Sequence, residues 1–244
     1  MKKTIILLCI LFSSIAGAED KTISICSFEW PPHHGRTLKD GGYTADIIKA
    51  VFEPQGYIIK KEYYPWKRAQ SLAIEGKECD AITEIYINEE RLDYYWYGAP
   101  YSIHEVYLIA LKSHSIKNYN NLRELKGLKF GYNSGGSLSQ AFDSADYIQK
   151  FGTKGYELGI KMLLAQRYDF YVSAKSVAFY EARKLGQHEK IHAIGKPLQS
   201  QAVYMAFSKA NPKNISRLRD YNRGLFLLHQ SGKYLEIMKK HGFE

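Results

Sequence analysis

Residues 22–27 read TISICS, residues 45–52 read ADIIKAVF and residues 57–63 read YIIKKEY, and this succession sets the class of fold. The first and third stretches have the β-branched, alternating character of strands, whereas the second has the periodicity of a helix. A second helix is predicted over residues 66–76 and a third strand over residues 80–83. This β-α-β-α-β order predicts an α/β fold with a parallel sheet and helices on its faces.

The second half of the chain repeats the alternation of strands and helices. Its predicted elements are residues 106–111, 129–132, 156–165, 170–173, 176–185 and 202–207, followed by helices over residues 212–230 and 234–240. Two such units without a Pro/Ser-rich linker predict two lobes, joined by strands that cross between them near residues 102–111 and 199–207. Because ligands of open α/β sheets bind beyond the carboxyl ends of the strands, we expect a cleft between the lobes.

The N-terminal segment, residues 1–18, has the pattern of a cleaved export signal. Lys2 and Lys3 precede an apolar run over residues 5–12, and Ala-Gly-Ala at residues 16–18 fits the small-residue rule for signal peptidase. A membrane anchor is the alternative, but the apolar run is too short to cross roughly 30 Å of hydrocarbon. The segment therefore predicts export from the cytoplasm; the resemblance described below implies the periplasm.

The composition indicates a basic, aromatic-rich globular protein. The formal net charge is +9, and the 20 tyrosines are more than an average chain of this length carries. Lysine and arginine are interleaved with acidic residues and form no stripe, so we expect no nucleic-acid partner; the basic surface would mildly attract anionic solutes.

The cysteines and histidines give only weak indications of a disulfide or a ligand site. Cys26 and Cys79 could pair in an exported protein, but we expect two buried free thiols, because the predicted positions place them at opposite ends of neighbouring strands. His33 and His34 are expected in a solvated loop rather than in a ligand site. No spacing typical of a zinc site is present, and we expect no metal or other cofactor.

Several motifs in order along the chain give it a resemblance to a known family. They are Glu29-Trp30-Pro31-Pro32, Gly42-Tyr43, Tyr64-Pro65-Trp66-Lys67-Arg68-Ala69, residues 76–81, Glu90-Arg91, residues 98–101 and residues 125–132. The chain resembles the bacterial extracellular solute-binding proteins of family 3, the periplasmic amino-acid-binding type, and in particular a subgroup with WPP and PWKRA motifs.

The resemblance implies a type II periplasmic-binding-protein fold with two Rossmann-like lobes joined by two crossing strands. Residues 19–107 and 204–244 would form the first lobe, and residues 108–203 the second. The implied function is capture of a small polar, carboxylate-bearing solute, an amino acid or a related organic acid, by a monomer that delivers it to an inner-membrane ABC permease.

Three first-lobe candidates for solute binding follow from the resemblance and from residue chemistry. Arg91 lies where family members place the arginine that pairs with the ligand carboxylate; a surface ion pair with Glu89 or Glu90 is the alternative. Trp30 is expected to stack on the solute, or else to pack under its loop. Tyr86 replaces a smaller residue and would narrow the pocket.

The remaining candidates for solute binding are supported mainly by their local sequence. The loop Ser134, Gly135, Gly136 and Ser137 follows a strand and precedes a helix, so its backbone N–H groups could hold a carboxylate from the second lobe. Arg68 at the start of the second predicted helix could reach the cleft or cap an acid. Ser173 ends a second-lobe strand at the cleft edge.

One departure from the family pattern concerns the ligand's ammonium group. Amino-acid binders commonly place an aspartate where this chain has Ala174. A buried ammonium needs an anionic partner, so either Glu29 or Glu84 replaces that aspartate, or the ligand is not an α-amino acid.

Two other functions remain open from the sequence. Periplasmic cyclohexadienyl dehydratases share the implied fold, and Glu29 or Glu84 could serve such an enzyme as general acid. A sensory role, in which closure signals to a membrane receptor, is the other. We expect a binding protein without catalysis, because no nucleophile or metal motif is present.

Overall fold

The computed structural model describes residues 21–134 and 138–243. The predicted export signal at residues 1–18 lies outside the described residues. Within the described part of the chain, no helix has the length and apolar character needed to cross a membrane.

Strands and helices alternate along the described chain, as the sequence pattern predicts. The strands are β1 (Thr22–Ser27), β2 (Ile58–Tyr63), β3 (Ala81–Ile85), β4 (Tyr95–Tyr97), β5 (Ser102–Leu111), β6 (Lys129–Asn133), β7 (Gln149–Thr153), β8 (Phe170–Ala174) and β9 (Ile191–Ser208). The helices are α1 (Tyr43–Phe52), α2 (Trp66–Glu75), α3 (Glu89–Leu92), α4 (Gln140–Asp143), α5 (Tyr156–Leu164), α6 (Lys175–Lys184), α7 (Asn214–Gln230) and α8 (Lys233–Lys240).

The strands form a mixed sheet in the order β2-β1-β3-β9-β5-β8-β6-β7, with β4 paired to β9. Within each half the pairs β1–β2, β1–β3, β6–β7 and β6–β8 are parallel, as the alternating pattern predicts. The halves are joined by β5 and β9, which pair antiparallel from Ser102 opposite Val203 to Leu111 opposite Ile191. These are the two crossing strands expected from the sequence.

Each half has its own buried apolar clusters. In the first half, α1 packs against the sheet and the C-terminal helix α7, with Phe52, Phe207 and Tyr221 at the centre of the cluster. In the second half, Phe130, Phe142 and Phe170 occupy the equivalent centre. The boundaries predicted for the lobes, at residues 107 and 203, remain a proposal.

The expectation of two free thiols is wrong, because Cys26 and Cys79 form a disulfide with a Cα–Cα distance of 5.6 Å. Cys26 lies opposite Ile82 in the parallel pair of β1 and β3. The chain enters β3 beside β1, where the Asp80 backbone N–H donates to the Ser24 carbonyl. This entry brings Cys79 next to Cys26 rather than to the far end of the strand.

We predict that a protease digest of the untagged, non-reduced protein contains the two cysteine peptides as one covalent species. Mass spectrometry detects this species, and reduction should split it into its two parts. Because the disulfide closes a loop with a sequence separation of 53, reduction should also lower the free energy of unfolding by about 4 kcal/mol. Recovery of unlinked, alkylated peptides from the non-reduced protein would contradict the pairing.

A buried ion pair fixes the C-terminal helix α7 to the sheet. Arg217 Nη1 lies 2.9 Å from Asp80 Oδ1, and both side chains are largely buried. Asp80 Oδ2 accepts from the Ser24 backbone N–H at 2.8 Å, and Arg217 Nη2 donates to the Thr22 carbonyl at 2.7 Å. The pair therefore connects α7, β1 and the entry to β3.

We predict that Arg217→Ala lowers the free energy of unfolding by about 3–5 kcal/mol, because it leaves the Asp80 carboxylate buried without its cation. Urea unfolding measures the change. The matched control is Arg219→Ala in the same helix, whose side chain is 76% exposed and whose loss should cost less than about 0.5 kcal/mol. Equal losses for the two variants would contradict the role given to the buried pair.

Candidate functional site

The most deeply buried acid near the crossing strands is Glu84, in the C-terminal part of β3. The residue is 2% exposed, and its backbone has φ 56°, in the left-handed region that non-glycine residues rarely adopt. The pairing of β3 with β9 shifts register between Ile82 and Ile85. The Glu84 backbone N–H leaves the sheet pattern and donates instead to the Tyr101 hydroxyl at 3.1 Å.

The two carboxylate oxygens of Glu84 have different surroundings. Oε1 accepts a short hydrogen bond from the Thr44 hydroxyl in α1. Oε2 lies 3.2 Å from His104 Nε2 in β5, yet neither of these two atoms has a hydrogen-bond partner. The carboxylate is therefore hydrogen-bonded at one oxygen and in ion-pair contact with His104 at the other.

The imidazole rings of His33 and His104 pack against each other beside this oxygen, tilted by 39°. Their ring centroids are 4.2 Å apart, and the residues are only 1% and 4% exposed. Nδ1 of His33 lies 3.0 Å from the Tyr43 hydroxyl, and Nδ1 of His104 lies 2.8 Å from the Tyr86 hydroxyl. One ligand atom from each of His33, Glu84 and His104 lies within 4.8 Å of the others.

The expectation that the two adjacent histidines occupy a solvated loop is wrong. His33 and His34 are both buried, with exposures of 1% and 0%. The loop folds back on itself, because the backbone N–H groups of both histidines donate to the Trp30 carbonyl and the Trp30 N–H donates to the His34 carbonyl. This turn brings both imidazoles into the protein.

Burial and neighbouring charge set the protonation of these groups. Burial alone would raise the pKa of the Glu84 carboxyl, but the adjacent imidazole of His104 outweighs this effect and holds that pKa well below its usual range. Burial lowers the pKa of His33 well below its ordinary value, and it lowers the pKa of His34 to about 4. At neutral pH, Glu84 is therefore ionised, whereas His33 and His34 are neutral.

Trp30 forms an aromatic wall against the cluster. Its ring centroid lies 4.9 Å from that of His33 and 4.9 Å from that of His104. Phe28 stacks on its other side at 5.8 Å. The structure thus brings together three of the predicted site residues, Trp30, Glu84 and Tyr86.

Arg91 lies at the rim of the same region. Its Nη1 donates to the Tyr86 carbonyl at 3.0 Å, and its guanidinium lies over the Trp66 ring at 5.5 Å. The alternative ion pair with Glu89 or Glu90 does not form: across residues 21–134 and 138–243, Arg91 makes no salt bridge. Its remaining N–H groups are available to a ligand.

The second half contacts the cluster through helix α6. Ser176 Oγ lies 3.2 Å from His33 Nε2. Ser173, at the end of β8, is 1% exposed, and its hydroxyl has no hydrogen-bond partner. Ser134 is exposed, and its backbone N–H donates to the Thr153 carbonyl; Gly136 and Ser137 lie outside the described residues.

Two predicted site residues are not brought to this cluster. The exposed Glu29 accepts from the Arg36 backbone N–H at 3.1 Å and closes its own loop. Arg68 is exposed on α2, with its guanidinium 5.4 Å from the Tyr64 ring centroid. Glu84, rather than Glu29, is therefore the buried acid of the site.

The sequence reasoning missed His104 and Thr44 and misjudged His33. His104 occupies an inward position of a strand whose neighbours, such as Val106 and Leu108, are apolar. A histidine inside an apolar strand pattern is the signal that could have marked it, because buried imidazoles need polar partners.

The sequence model of the family described as "Bacterial extracellular solute-binding proteins, family 3" matches residues 28–244. No curated protein has a sequence that matches this chain. Among solved structures, an ancestral cationic amino acid solute-binding protein is similar with a TM-score of 0.75 and 18% identity, covering 90% of this chain and 95% of that one.

Two bacterial structures show the same likeness in fold. The second substrate-binding domain of GlnP from Lactococcus lactis, in an open conformation, has a TM-score of 0.72 and 20% identity, covering 91% of this chain and 96% of that one. A substrate-binding protein of an ABC uptake transporter from Streptococcus pneumoniae, with bound histidine, has a TM-score of 0.67 and 21% identity, covering 91% and 92%.

We predict that Thr44→Val lowers the free energy of unfolding by about 1.5–3 kcal/mol, because it removes the hydroxyl donor to the buried Glu84 carboxylate at nearly constant volume. Chemical unfolding at neutral pH measures the change. The control is Thr37→Val in the exposed part of the preceding loop, for which we expect less than about 0.5 kcal/mol. A neutral Thr44→Val would contradict the dependence of the Glu84 carboxylate on Thr44.

Proposed function

The chain belongs to the bacterial extracellular solute-binding proteins of family 3, and from that premise we propose that it captures a small polar, carboxylate-bearing solute between its two halves. An amino acid or a related organic acid is the proposed solute class. The proposed role is binding without catalysis.

The observation that carries the proposal is the half-buried guanidinium of Arg91, which lies over the Trp66 ring. An arginine that makes no ion pair within the described residues keeps free N–H donors for a carboxylate, which it can hold through two parallel charge-assisted bonds. Arg91 also donates to the Tyr86 carbonyl, and the rings of Tyr86 and Trp30 both contact His104. This combination suits a solute with one anionic end and a small polar or apolar body.

The Glu84 carboxylate supports the proposal that the solute is an amino acid. Ala174 offers no acid where amino-acid binders commonly have one, and it ends β8 directly before α6. The Glu84 carboxylate is ionised, and its Oε2 has no polar contact within the described residues other than the His104 imidazole. We propose that it is the partner for an ammonium group on the solute.

The cellular role follows from the family rather than from the site. We propose that the chain acts as a monomer in the periplasm after cleavage of residues 1–18, and that it delivers its solute to an inner-membrane ABC permease. The similar structures include substrate-binding parts of ABC transporters, which supports this reading.

We predict that Arg91→Ala weakens binding of every carboxylate solute that the untagged protein binds by roughly 10–100-fold, through loss of a charged pair of hydrogen bonds. Isothermal titration against a panel of amino acids and organic acids measures it. Arg91→Lys should retain part of the affinity, because lysine keeps the positive charge but cannot form the two parallel hydrogen bonds of a guanidinium.

The matched control is Arg123→Ala, which removes another guanidinium lying over an aromatic ring, that of Tyr147. We expect its affinities to equal those of the wild type. If Arg91→Ala leaves the affinity of every bound solute unchanged, the site is not at Arg91; if the wild type binds no member of the panel, the proposed solute class is wrong.

A further inference from the structure

The cluster of His33, Glu84 and His104 brings three possible ligand atoms within 4.8 Å of one another. His104 Nε2 and Glu84 Oε2 are in ion-pair contact at 3.2 Å, and apart from each other they have no polar partner within the described residues. Buried polar atoms with so few partners are suited to binding an ion that uses the lone pairs of both.

The hydrogen bonds of His33 indicate its tautomer. The Tyr43 hydroxyl donates to Ser102 Oγ at 3.2 Å, so Tyr43 can accept from His33 Nδ1–H at 3.0 Å. A neutral imidazole that carries its proton on Nδ1 has its lone pair on Nε2. This atom faces the Ser176 hydroxyl, which can donate to it.

Each donor side chain is held at its outer atom by a hydroxyl group. Tyr43 holds His33 Nδ1, Tyr86 holds His104 Nδ1 and Thr44 holds Glu84 Oε1. Metal-binding histidines almost always donate their second ring N–H to an oxygen acceptor, usually a carboxylate, a backbone carbonyl or water, and metal-binding carboxylates are hydrogen-bonded in turn. The tyrosine hydroxyl oxygens can take the acceptor's place here. The arrangement therefore has both the inner atoms and the outer support of a metal site.

The spacing and the donor types narrow the class of ion. Two ligands bonded to one Zn²⁺ at 2.0–2.2 Å lie about 3.4 Å apart at the tetrahedral angle. His104 Nε2 and Glu84 Oε2, 3.2 Å apart, already have nearly this spacing. The ligand atoms of all three residues lie within 4.8 Å of one another, so that binding one ion requires side-chain shifts of about 1 Å. Two imidazoles and one carboxylate suit divalent transition ions rather than Mg²⁺ or Ca²⁺, which prefer oxygen.

We propose that His33, Glu84 and His104 bind one divalent transition-metal ion of the Zn²⁺ type where the two halves meet. Three protein ligands leave a coordination position open to water or to an anionic group. The proposal goes beyond solute capture and does not depend on Arg91. It uses the Glu84 oxygen that is also proposed as partner of a solute ammonium group, so that an ion and an ammonium group would exclude each other there.

The test uses untagged protein freed of metal by chelation and then titrated with ZnCl₂ and, separately, with CoCl₂. We expect one ion per chain, a visible cobalt spectrum of low coordination number and a rise in melting temperature with ZnCl₂. MgCl₂ and CaCl₂ should produce none of these effects. If the wild type takes up no Zn²⁺ or Co²⁺ at micromolar concentrations, the proposal is wrong.

Variants assign the ligands. His104→Gln and Glu84→Gln should each weaken Zn²⁺ binding by more than roughly 100-fold, and Tyr86→Phe, which removes only the outer hydroxyl, by roughly 10–100-fold. The matched control is His192→Gln, because His192 also has an unpartnered Nε2 but lies outside the cluster. Wild-type affinity in the two ligand variants, or a loss confined to His192→Gln, would overturn the assignment.

The wild-type readouts decide the proposal even if a ligand variant does not fold. Arg91→Ala separates this proposal from the proposed function, because it should lower carboxylate affinity and leave Zn²⁺ affinity unchanged. A protein that binds Zn²⁺ but no carboxylate solute would support the metal site and contradict the solute class. A protein that binds a carboxylate solute but no Zn²⁺ would support the solute class and contradict the metal site.

Discussion

A carboxylate buried as deeply as that of Glu84 is stable only if surrounding groups replace the water that it loses. Here the replacement comes from different parts of the chain: the Thr44 hydroxyl from α1 and the imidazole of His104 in β5 contact the carboxylate. The Tyr101 hydroxyl, just before β5, accepts from the backbone N–H of the same residue. Because each group must lie within reach of one residue, α1, the end of β3 and the start of β5 are fixed relative to each other. The left-handed backbone at Glu84 is the local cost of that placement.

The crossing strands β5 and β9 connect the surroundings of Glu84 to the second half of the molecule. His104 lies in the part of β5 that belongs with the first half, and the same strand continues to Leu111 in the second half. Its partner β9 runs for 18 residues beside it. A movement of one half relative to the other therefore displaces the strand that contains His104. A binding site at this point contacts both halves, as capture between lobes requires.

The sequence predicted the elements well where pattern and length agreed. Residues 22–27 were predicted as a strand and form β1, because the stretch is β-branched and ends in a loop rich in proline and glycine. The first part of β9 was missed, since Gly195 and Pro197 interrupt its pattern and only the long pairing with β5 holds it extended. The three-residue β4 is too short to give a periodic signal. The disulfide was misjudged because the direction in which the chain enters β3 is a tertiary property.

The site was less predictable for the same physical reason. Trp30, Glu84, Tyr86 and Arg91 could be chosen because they stand at predicted strand ends or in family motifs. The meeting of His33, Glu84 and His104 could not, because it depends on a turn, a register shift and a strand crossing that no local pattern encodes. A polar residue in an apolar strand indicates a buried interaction, but it does not identify the partner.

The contact between His33 and Ser176 links the chemistry of the cluster to the closeness of the two halves. The lone pair on His33 Nε2 can accept the Ser176 proton or bind an ion, but it cannot do both. An ion held by His33 Nε2 would take the place of this hydrogen bond, and the Ser176 hydroxyl would have to turn to another acceptor, such as water. Binding of such an ion would therefore break a hydrogen bond that connects the two halves.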